Sequence, residues 1–395
     1  MNRKNIIYNL ISNVSNAIVP IIIIPILINN MELKDYGIYV TYISFSIMIS
    51  VLLDLGLNMY MPKLISEYAE YHEKIAVEVS FFYSIKLIVS FAFGWIVFLF
   101  FELDLITGFL IYTYIILLCL NPTTIFNSLE KYDYLSIVTV LSKLVLFISI
   151  FIFNYGEIDI VKALLAQVIA NLFFNIALTL KVYRLDYFRL NLNMNKFKIN
   201  LSASFNYYIS RVFVNIYQAA STFIASKFLL SEIVALYAIG LQLYNAGQMV
   251  IGSISRVLYT SMLRGYDKKI IIKTCYYSIL VYFLGLSIIL LFGDSILNFI
   301  FDVKSEDLYN LVFILYSALF FSMVSSFLGY PVLVPKGLER EAHLTLILSP
   351  ITYFIVLITS MTLDIGYVGL YLFGWAIFFA DMASAAPRLY MFRTK

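Results

Sequence analysis

The chain has 395 residues, of which 62% are hydrophobic and 13% are charged. An average soluble domain has about 45–50% apolar and about 25% charged residues, so this composition excludes an ordinary soluble fold. The formal net charge is only +3, and the chain lacks the basic, aromatic surface typical of nucleic-acid binders, so no nucleic-acid partner is expected.

Long apolar runs recur along the chain. A helix that crosses a bilayer needs roughly 20 mostly apolar residues. The runs predict an all-α integral membrane protein with about twelve transmembrane helices. The first run follows Met1-Asn2-Arg3-Lys4 without an A-x-A cleavage site, so we expect it to be retained. The predicted spans are 6–28, 36–60, 79–101, 105–126, 135–153, 161–180, 205–229, 233–262, 270–292, 308–334, 342–362 and 365–388.

Basic residues are distributed unevenly between the loops. With the N-terminus in the cytoplasm, 19 of the 27 Lys and Arg residues, Arg388 among them, lie on the cytoplasmic side; 4 lie opposite and 4 lie within spans. The positive-inside rule therefore predicts cytoplasmic termini. The longest loop, 181–204, is basic and lies midway, which predicts a linker between two six-helix bundles, 1–180 and 205–395.

An internal repeat supports two similar halves. Pro122, five intervening residues and then SLEK at 128–131 recur 209 residues later as Pro331, five residues and GLER at 337–340. Because each half would hold six helices, both copies would have the same orientation, with pseudo-two-fold symmetry about an axis along the membrane normal. A polar stripe on the first span also has a counterpart about 202 residues later: Asn9, Asn13, Asn16 and Pro20 correspond to Arg211, Asn215, Gln218 and Thr222.

Six charged residues fall within the predicted spans. A charge near the bilayer centre costs at least ~2.5–3.5 kcal/mol, so such residues usually face a protein interior or a water-filled cavity. Lys86 is close enough to a span end to snorkel to the surface. The remaining five are Lys143, Arg211, Arg256, Asp54 and Asp381.

Three of these residues also have a purely structural interpretation. Asp54 and Arg256 occupy corresponding places in the two halves, so they could form an ion pair that locks the halves or could act in coupling. Asp381 could pair with Arg388. If they act in transport, Asp54 and Asp381 are the candidate ion-coupling residues.

Bases outnumber acids four to two within the spans, which predicts a net cationic cavity between the halves. Such a cavity suits a phosphate or pyrophosphate, which Arg can bind bidentately. The abundant Tyr side chains suit sugars as well as packing. The candidate substrate-binding residues are Lys143, Arg211, Arg256, Asn13, Asn16, Asn215 and Gln218.

Signatures of catalysis are missing from the sequence. It has no G-x-x-x-x-G-K-[ST] phosphate loop, so ATP hydrolysis by this chain is not expected. His72 and His343 have no second ligand at metal-binding spacing. We therefore predict no catalytic residue, metal or cofactor, and a transporter rather than an enzyme.

The chain resembles the bacterial O-antigen and polysaccharide flippases, the Wzx-type members of the multidrug/oligosaccharidyl-lipid/polysaccharide exporter superfamily. The resemblance rests on the Asn-rich first helix, the turn LKDYGIY at 33–39, the element FNSLEK at 126–131 leading to Lys143, and twelve spans in two halves. Family members usually have Gly where this chain has Ser128, although the second copy keeps Gly337.

The resemblance implies an exporter (MATE/MOP-like) fold in the bacterial inner membrane. It further implies alternating-access translocation of undecaprenyl-pyrophosphate-linked oligosaccharide, an O-antigen or capsule repeat unit, driven by an ion gradient. The expected partners are this lipid-linked glycan, membrane lipid, a polysaccharide polymerase and a chain-length regulator.

Three alternatives remain at this point. A multidrug exporter of the same superfamily would favour acids and aromatics in its cavity. A membrane polysaccharide polymerase or ligase would present a large outer loop with basic catalytic residues, and no outer loop here is long enough. A purely structural membrane scaffold would carry its buried charges without purpose.

Overall fold

In its described part the computed structural model consists of helices joined by short turns and loops, with no strand. Eleven helices in that part are long and apolar enough to cross a membrane. The predicted span 205–229 and the predicted linker 181–204 lie largely outside the described residues. The structure describes residues 3–67, 71–153, 158–184, 204, 208, 212, 217–265, 267–302, 305–362 and 369–394.

The first half contains nine α-helices in its described residues, with a short 3-10 turn, Gly94–Ile96, between the fourth and the fifth. The helices are α1 (Arg3–Ile28), α2 (Leu33–Leu53), α3 (Leu57–Glu67), α4 (His72–Phe93), α5 (Val97–Phe100), α6 (Leu105–Cys119), α7 (Thr123–Ser128), α8 (Tyr132–Phe153) and α9 (Ile160–Arg184).

The second half contains fewer helical segments in its described residues. Residues 217–225 are helical. They are followed by α10 (Ser231–Arg264), α11 (Lys268–Phe301), α12 (Glu306–Leu328), α13 (Tyr330–Leu333), α14 (Glu339–Thr362) and α15 (Leu370–Thr394).

The chain forms two compact units. The first consists of Met1–Val19 and Ile38–Phe223, and the second consists of Pro20–Gly37 and Ile224–Lys395. The predicted division into 1–180 and 205–395 stays a prediction.

Each unit has its own apolar core. In the first unit, buried Tyr60, Phe82, Phe126 and Leu178 belong to one cluster that joins α3, α4, α7 and α9. In the second unit, a cluster joins α10 to α13. Helix packing buries these side chains, and the apolar faces that remain exposed are suited to contact with lipid.

Besides 79–101, in which the 3-10 turn Gly94–Ile96 separates α4 from α5, three predicted spans are interrupted in the structure. The predicted span 36–60 ends as α2 at Leu53, and α3 starts after a turn in which Leu55 and Gly56 have positive φ. The span 105–126 breaks before Pro122, whose ring cannot continue a regular helix. The span 308–334 breaks at Gly329. These breaks free polar groups within apolar segments.

The residues 33–39, expected to form a turn, are instead the start of α2. Asp35 in this first helical turn is favoured there by the helix dipole.

The repeated turn before α8 and α14 has a different register from the one predicted. Glu130 has φ +53, and the next residue, Lys131, donates its N–H to Phe126 O at 3.0 Å. In the second half Gly337 has φ +73, and Leu338 N donates to the carbonyl five residues earlier at 2.9 Å. The turns therefore match at an offset of 207 residues, and Glu130 rather than Ser128 takes the place of Gly337.

Candidate functional site

A buried ion pair lies in the first unit. Lys86 Nζ is 3.2 Å from Asp54 Oδ1, and the two side chains are 6% and 5% exposed. Lys86 Nζ also donates to Asn58 Oδ1 at 2.7 Å, and Thr124 Oγ1 donates to the same oxygen at 2.9 Å. The prediction that Lys86 snorkels to the surface is wrong. Inside the protein, Asp54 supplies the counter-charge for its ammonium and Asn58 supplies a hydrogen-bond acceptor.

A small cavity adjoins this pair. Its polar lining consists of Asn58, Tyr83, Lys86, Asn121 and Thr124, and it has room for about one water molecule. Asn121 lies at the break between α6 and α7, where its Oδ1 accepts from the N–H of Thr123 at 2.9 Å. The break thus brings side-chain oxygens to the ion pair.

The polar face of α1 packs on α8 in the first unit. Ser12 Oγ donates to Ser136 Oγ at 3.0 Å. Asn16 follows Ser12 by one helical turn, and Lys143 follows Ser136 by two turns, so each lies on the contacting face of its helix. Asn13, Asn16 and Lys143 are all half-buried. The structure therefore places three predicted substrate-binding residues on this pair of helices.

A chain of hydrogen bonds ends at Asp381 in the second unit. Ser322 Oγ donates to Gln248 Oε1 at 2.7 Å, Gln248 Nε2 donates to the Tyr244 hydroxyl, and Tyr244 donates to Asp381 Oδ2 at 2.6 Å. Asp381 is 5% exposed. Residues of α10, α12 and α15 therefore join at one buried carboxylate.

Arg388 is buried, and it does not pair with Asp381. Its guanidinium donates to Ser325 O at 2.7 Å, to Thr345 Oγ1 at 2.8 Å and to Ala342 O at 3.1 Å. It is 2% exposed, so its side chain does not reach the protein surface. The suggested Asp381–Arg388 pair was wrong, since Asp381 accepts from Tyr244 instead.

Other predicted site residues lie elsewhere. Arg256 is exposed on α10 and donates to Ser253 Oγ at 3.3 Å. Gln218 is exposed and donates to the Tyr217 hydroxyl at 3.2 Å. Arg211 and Asn215 lie outside the described residues.

Sequence reasoning missed the partners of both carboxylates. Tyr244 and Gln248 are four residues apart on α10, so their shared face was visible in the sequence. Their approach to Asp381 joins residues 137 positions apart in the chain, which no local spacing reveals. Lys86 and Asn58 likewise meet across two helices.

The helical architecture defines a class of multi-pass membrane proteins. The structure matches the lipid II flippase MurJ in an inward-closed conformation, with a TM-score of 0.76 and 13% identity over 100% of this chain and 88% of that chain. It also matches an inward-facing MATE-family multidrug resistance transporter of the MOP superfamily, with a TM-score of 0.62 and 11% identity over 98% and 94%. The predicted exporter fold is confirmed.

The chain belongs to the polysaccharide biosynthesis protein family, whose model matches residues 3–265. A protein of Escherichia coli strain K12 named "Putative O-antigen transporter" is 23% identical over 383 residues, which cover 91% of this chain and 90% of that protein. The relative and the structural neighbours are transporters and flippases, so the prediction of a transporter rather than an enzyme is confirmed.

Proposed function

We propose that this chain is a flippase for undecaprenyl-pyrophosphate-linked oligosaccharide, the repeat unit of an O-antigen or a capsule. It would move the glycan across the bacterial inner membrane by alternating access, with both termini in the cytoplasm. The family match and the O-antigen transporter relative support a cargo from polysaccharide biosynthesis. A multidrug exporter has the same fold but lacks this support from the family.

Lys143 is the observation that carries this proposal. It lies near the middle of α8, and within the described residues its ammonium has no hydrogen-bond or ion-pair partner. A half-buried cation at this depth is costly unless an anion or water meets it. The diphosphate of a lipid-linked glycan is an anion of that kind, and Asn13 and Asn16 offer amides to sugar hydroxyls.

The two candidate coupling residues differ in their surroundings. Asp54 has the ammonium of Lys86 beside it. Asp381 accepts a hydrogen bond from Tyr244, and among the described residues no cation pairs with it. Arg388, two helical turns along α15, is bound to carbonyl and hydroxyl groups. A buried carboxylate without a cation favours uptake of a proton or a metal cation, so we assign ion coupling to Asp381.

The proposal is tested by complementation of a deletion strain. Lys143→Ala is expected to abolish surface polysaccharide and to leave lipid-linked oligosaccharide on the cytoplasmic leaflet, because the diphosphate loses its cation. Lys143→Arg should retain part of the activity, since the charge is kept. Neutralising Arg211 should have the same effect as Lys143→Ala.

Lys34→Ala is the matched control, since Lys34 is exposed at the start of α2. Protein levels are compared by immunoblot. Normal surface polysaccharide in the Lys143→Ala strain would remove Lys143 from substrate binding. Lost polysaccharide without trapped lipid-linked oligosaccharide would contradict the flippase function itself.

A further inference from the structure

The Asp54–Lys86 cluster has the composition of a cation site. We propose that it is a monovalent-cation site that the ammonium of Lys86 permanently fills. Asp54 Oδ1 lies 3.2 Å from the ammonium nitrogen, and Asn58 Oδ1 lies 2.7 Å from it. Thr124 Oγ1 is bound to the same Asn58 oxygen at 2.9 Å. A carboxylate, an amide oxygen and a hydroxyl oxygen are ligands that hard cations prefer.

The backbone also favours positive charge at this position. Asp54 follows directly after Leu53, the last residue of α2, where the helix dipole is negative. The left-handed residues Leu55 and Gly56 then turn the chain so that Asn58 N donates to Asp54 Oδ2 at 3.4 Å. The first turn of α3 therefore holds the carboxylate in place.

The charge of the cluster matches one positive charge. It contains a single carboxylate, and the described part of the chain has no group of three His, Cys, Asp or Glu residues that could hold a metal ion. A tightly bound divalent cation would leave excess charge in a buried site. One ammonium, or one sodium or potassium ion, carries the charge opposite to that of the Asp54 carboxylate.

The lysine side chain occupies the volume that an exchangeable ion would need, so shortening this side chain would make room for the ion. The adjoining cavity, lined by Lys86, Asn121 and Tyr83 among others, has room for about one water. Shortening Lys86 to alanine would add the volume of its stem and ammonium to this cavity. A small cation with a water could then reach Asp54, Asn58 and Thr124.

This site makes the first unit independent of dissolved cations, because a tethered ammonium cannot leave. The proposed cation site does not depend on which cargo the chain transports. Its consequence for transport rests on the proposed function: the ion that exchanges during a cycle binds at Asp381, in the second unit.

The experiment measures thermal unfolding of the full purified chain in choline chloride, and in sodium, potassium or methylammonium chloride at equal ionic strength. The wild-type Tm is expected to be the same in all four salts. Lys86→Ala should lower the Tm in choline by about 5 °C, because it removes the ammonium that lies 3.2 Å from the buried Asp54 carboxylate. At least one of the three smaller cations should restore most of that loss, with a saturable dose dependence.

Two further variants make the result specific. Lys86→Ala combined with Asp54→Asn should have lost the response to cations, since the carboxylate ligand is gone. Lys34→Ala, at an exposed lysine, should behave like the wild type. A Lys86→Ala chain that none of the three cations stabilises more than choline does, or a double variant that still responds, would overturn the proposal.

If Lys86→Ala is too unstable to purify in choline, the yield of folded protein in each salt is measured instead of the Tm. Folded chain recovered with sodium, potassium or methylammonium but not with choline supports the site. Equal failure in all four salts, with Lys86→Gln folding equally in all four, overturns it. The readout is stability, so loss of glycan transport in another assay leaves this test unaffected.

Discussion

In the described part of the chain Lys86 and Arg388 are buried, and each has its own set of local partners. Lys86 is neutralised by a carboxylate, whereas Arg388 donates only to carbonyl and hydroxyl oxygens. A flexible lysine needs one close counter-charge, while the planar guanidinium can bind several acceptors in fixed directions. The two residues are therefore not interchangeable with each other.

Arg388→Lys is expected to destabilise the chain almost as much as Arg388→Met. A lysine ammonium cannot reach Ser325, Ala342 and Thr345 together, so buried acceptors on α12 and α14 lose their donors. The expected loss is about 2–4 kcal/mol in the free energy of unfolding. Thermal unfolding in detergent measures it, with Arg393→Lys, at an exposed position on the same helix, as the control. Wild-type stability of Arg388→Lys would show that these contacts contribute little.

Single residues were predictable from the sequence only in part. The charged positions within spans were visible from composition, and the exposed Arg256 is one of them. The burial of Lys86 was not predictable, because its partner Asn58 lies on another helix and its depth alone favoured the surface. The side chain that neutralises a charge is set by packing, which the local sequence does not contain.

At the scale of elements, helix breaks are as important as helix lengths. The breaks at 54–56, before Pro122 and at Gly329 place side-chain or backbone acceptors next to Lys86 and Arg388. Such groups remain stable in an apolar segment only when a donor reaches them. Apolar runs predicted the spans well, but the breaks at residues 54–56, before Pro122 and at Gly329 were missed because the predicted spans run through all three.

Two left-handed glycines offer a matched test of these turns. Gly337 has φ +73 with open space around it, so Gly337→Ala should cost about 1 kcal/mol from the backbone alone. Gly56 has φ +76, and a Cβ there would press on Ser204 O and lie 2.7 Å from Tyr208 N. Gly56→Ala should therefore cost clearly more. Denaturation of both variants decides this, and equal losses would contradict the crowding at Gly56.

The start of α6 gives a pH-dependent prediction. Hydrogen bonds from the side chain and backbone N–H of Thr107, and from the N–H of Ile106, lower the pKa of Asp104. The folded state thus favours the charged carboxylate, so its stabilising effect is present above the unfolded pKa of about 3.9 and is lost as the pH falls through the lower folded value. Asp104→Ala should lower the Tm at pH 7, and the difference from wild type should shrink in strong acid. A difference independent of pH would exclude the charged cap.

At the scale of the whole molecule, composition and the distribution of charges were sufficient for the class of protein. The polysaccharide biosynthesis family and the exporter fold agree with what the spans and short motifs indicated. The sequence repeat was found two residues out of register at the turn of Glu130 and Gly337, because Ser-Leu-Glu-Lys and Gly-Leu-Glu-Arg match by identity and not by backbone conformation.

Coupling to an ion gradient is a property of the whole transport cycle. In proteoliposomes with an imposed pH or sodium gradient, Asp381→Asn is expected to remove the stimulation of glycan translocation by the gradient, since the exchangeable site no longer changes charge. Asp302→Asn, at an exposed residue with positive φ that asparagine tolerates, is the control. Full stimulation in the Asp381→Asn chain would place coupling at another residue.

The central claim is that this chain alone carries a lipid-linked glycan across a membrane. The most direct measurement reconstitutes the purified chain with undecaprenyl-pyrophosphate-linked oligosaccharide and follows the fraction of glycan accessible to an impermeant glycosidase or lectin. We predict that wild-type protein moves glycan between the leaflets and that Lys143→Ala does so several-fold more slowly. Accessibility that stays at the level of protein-free liposomes with correctly folded wild-type protein, under every imposed gradient, would contradict the flippase function.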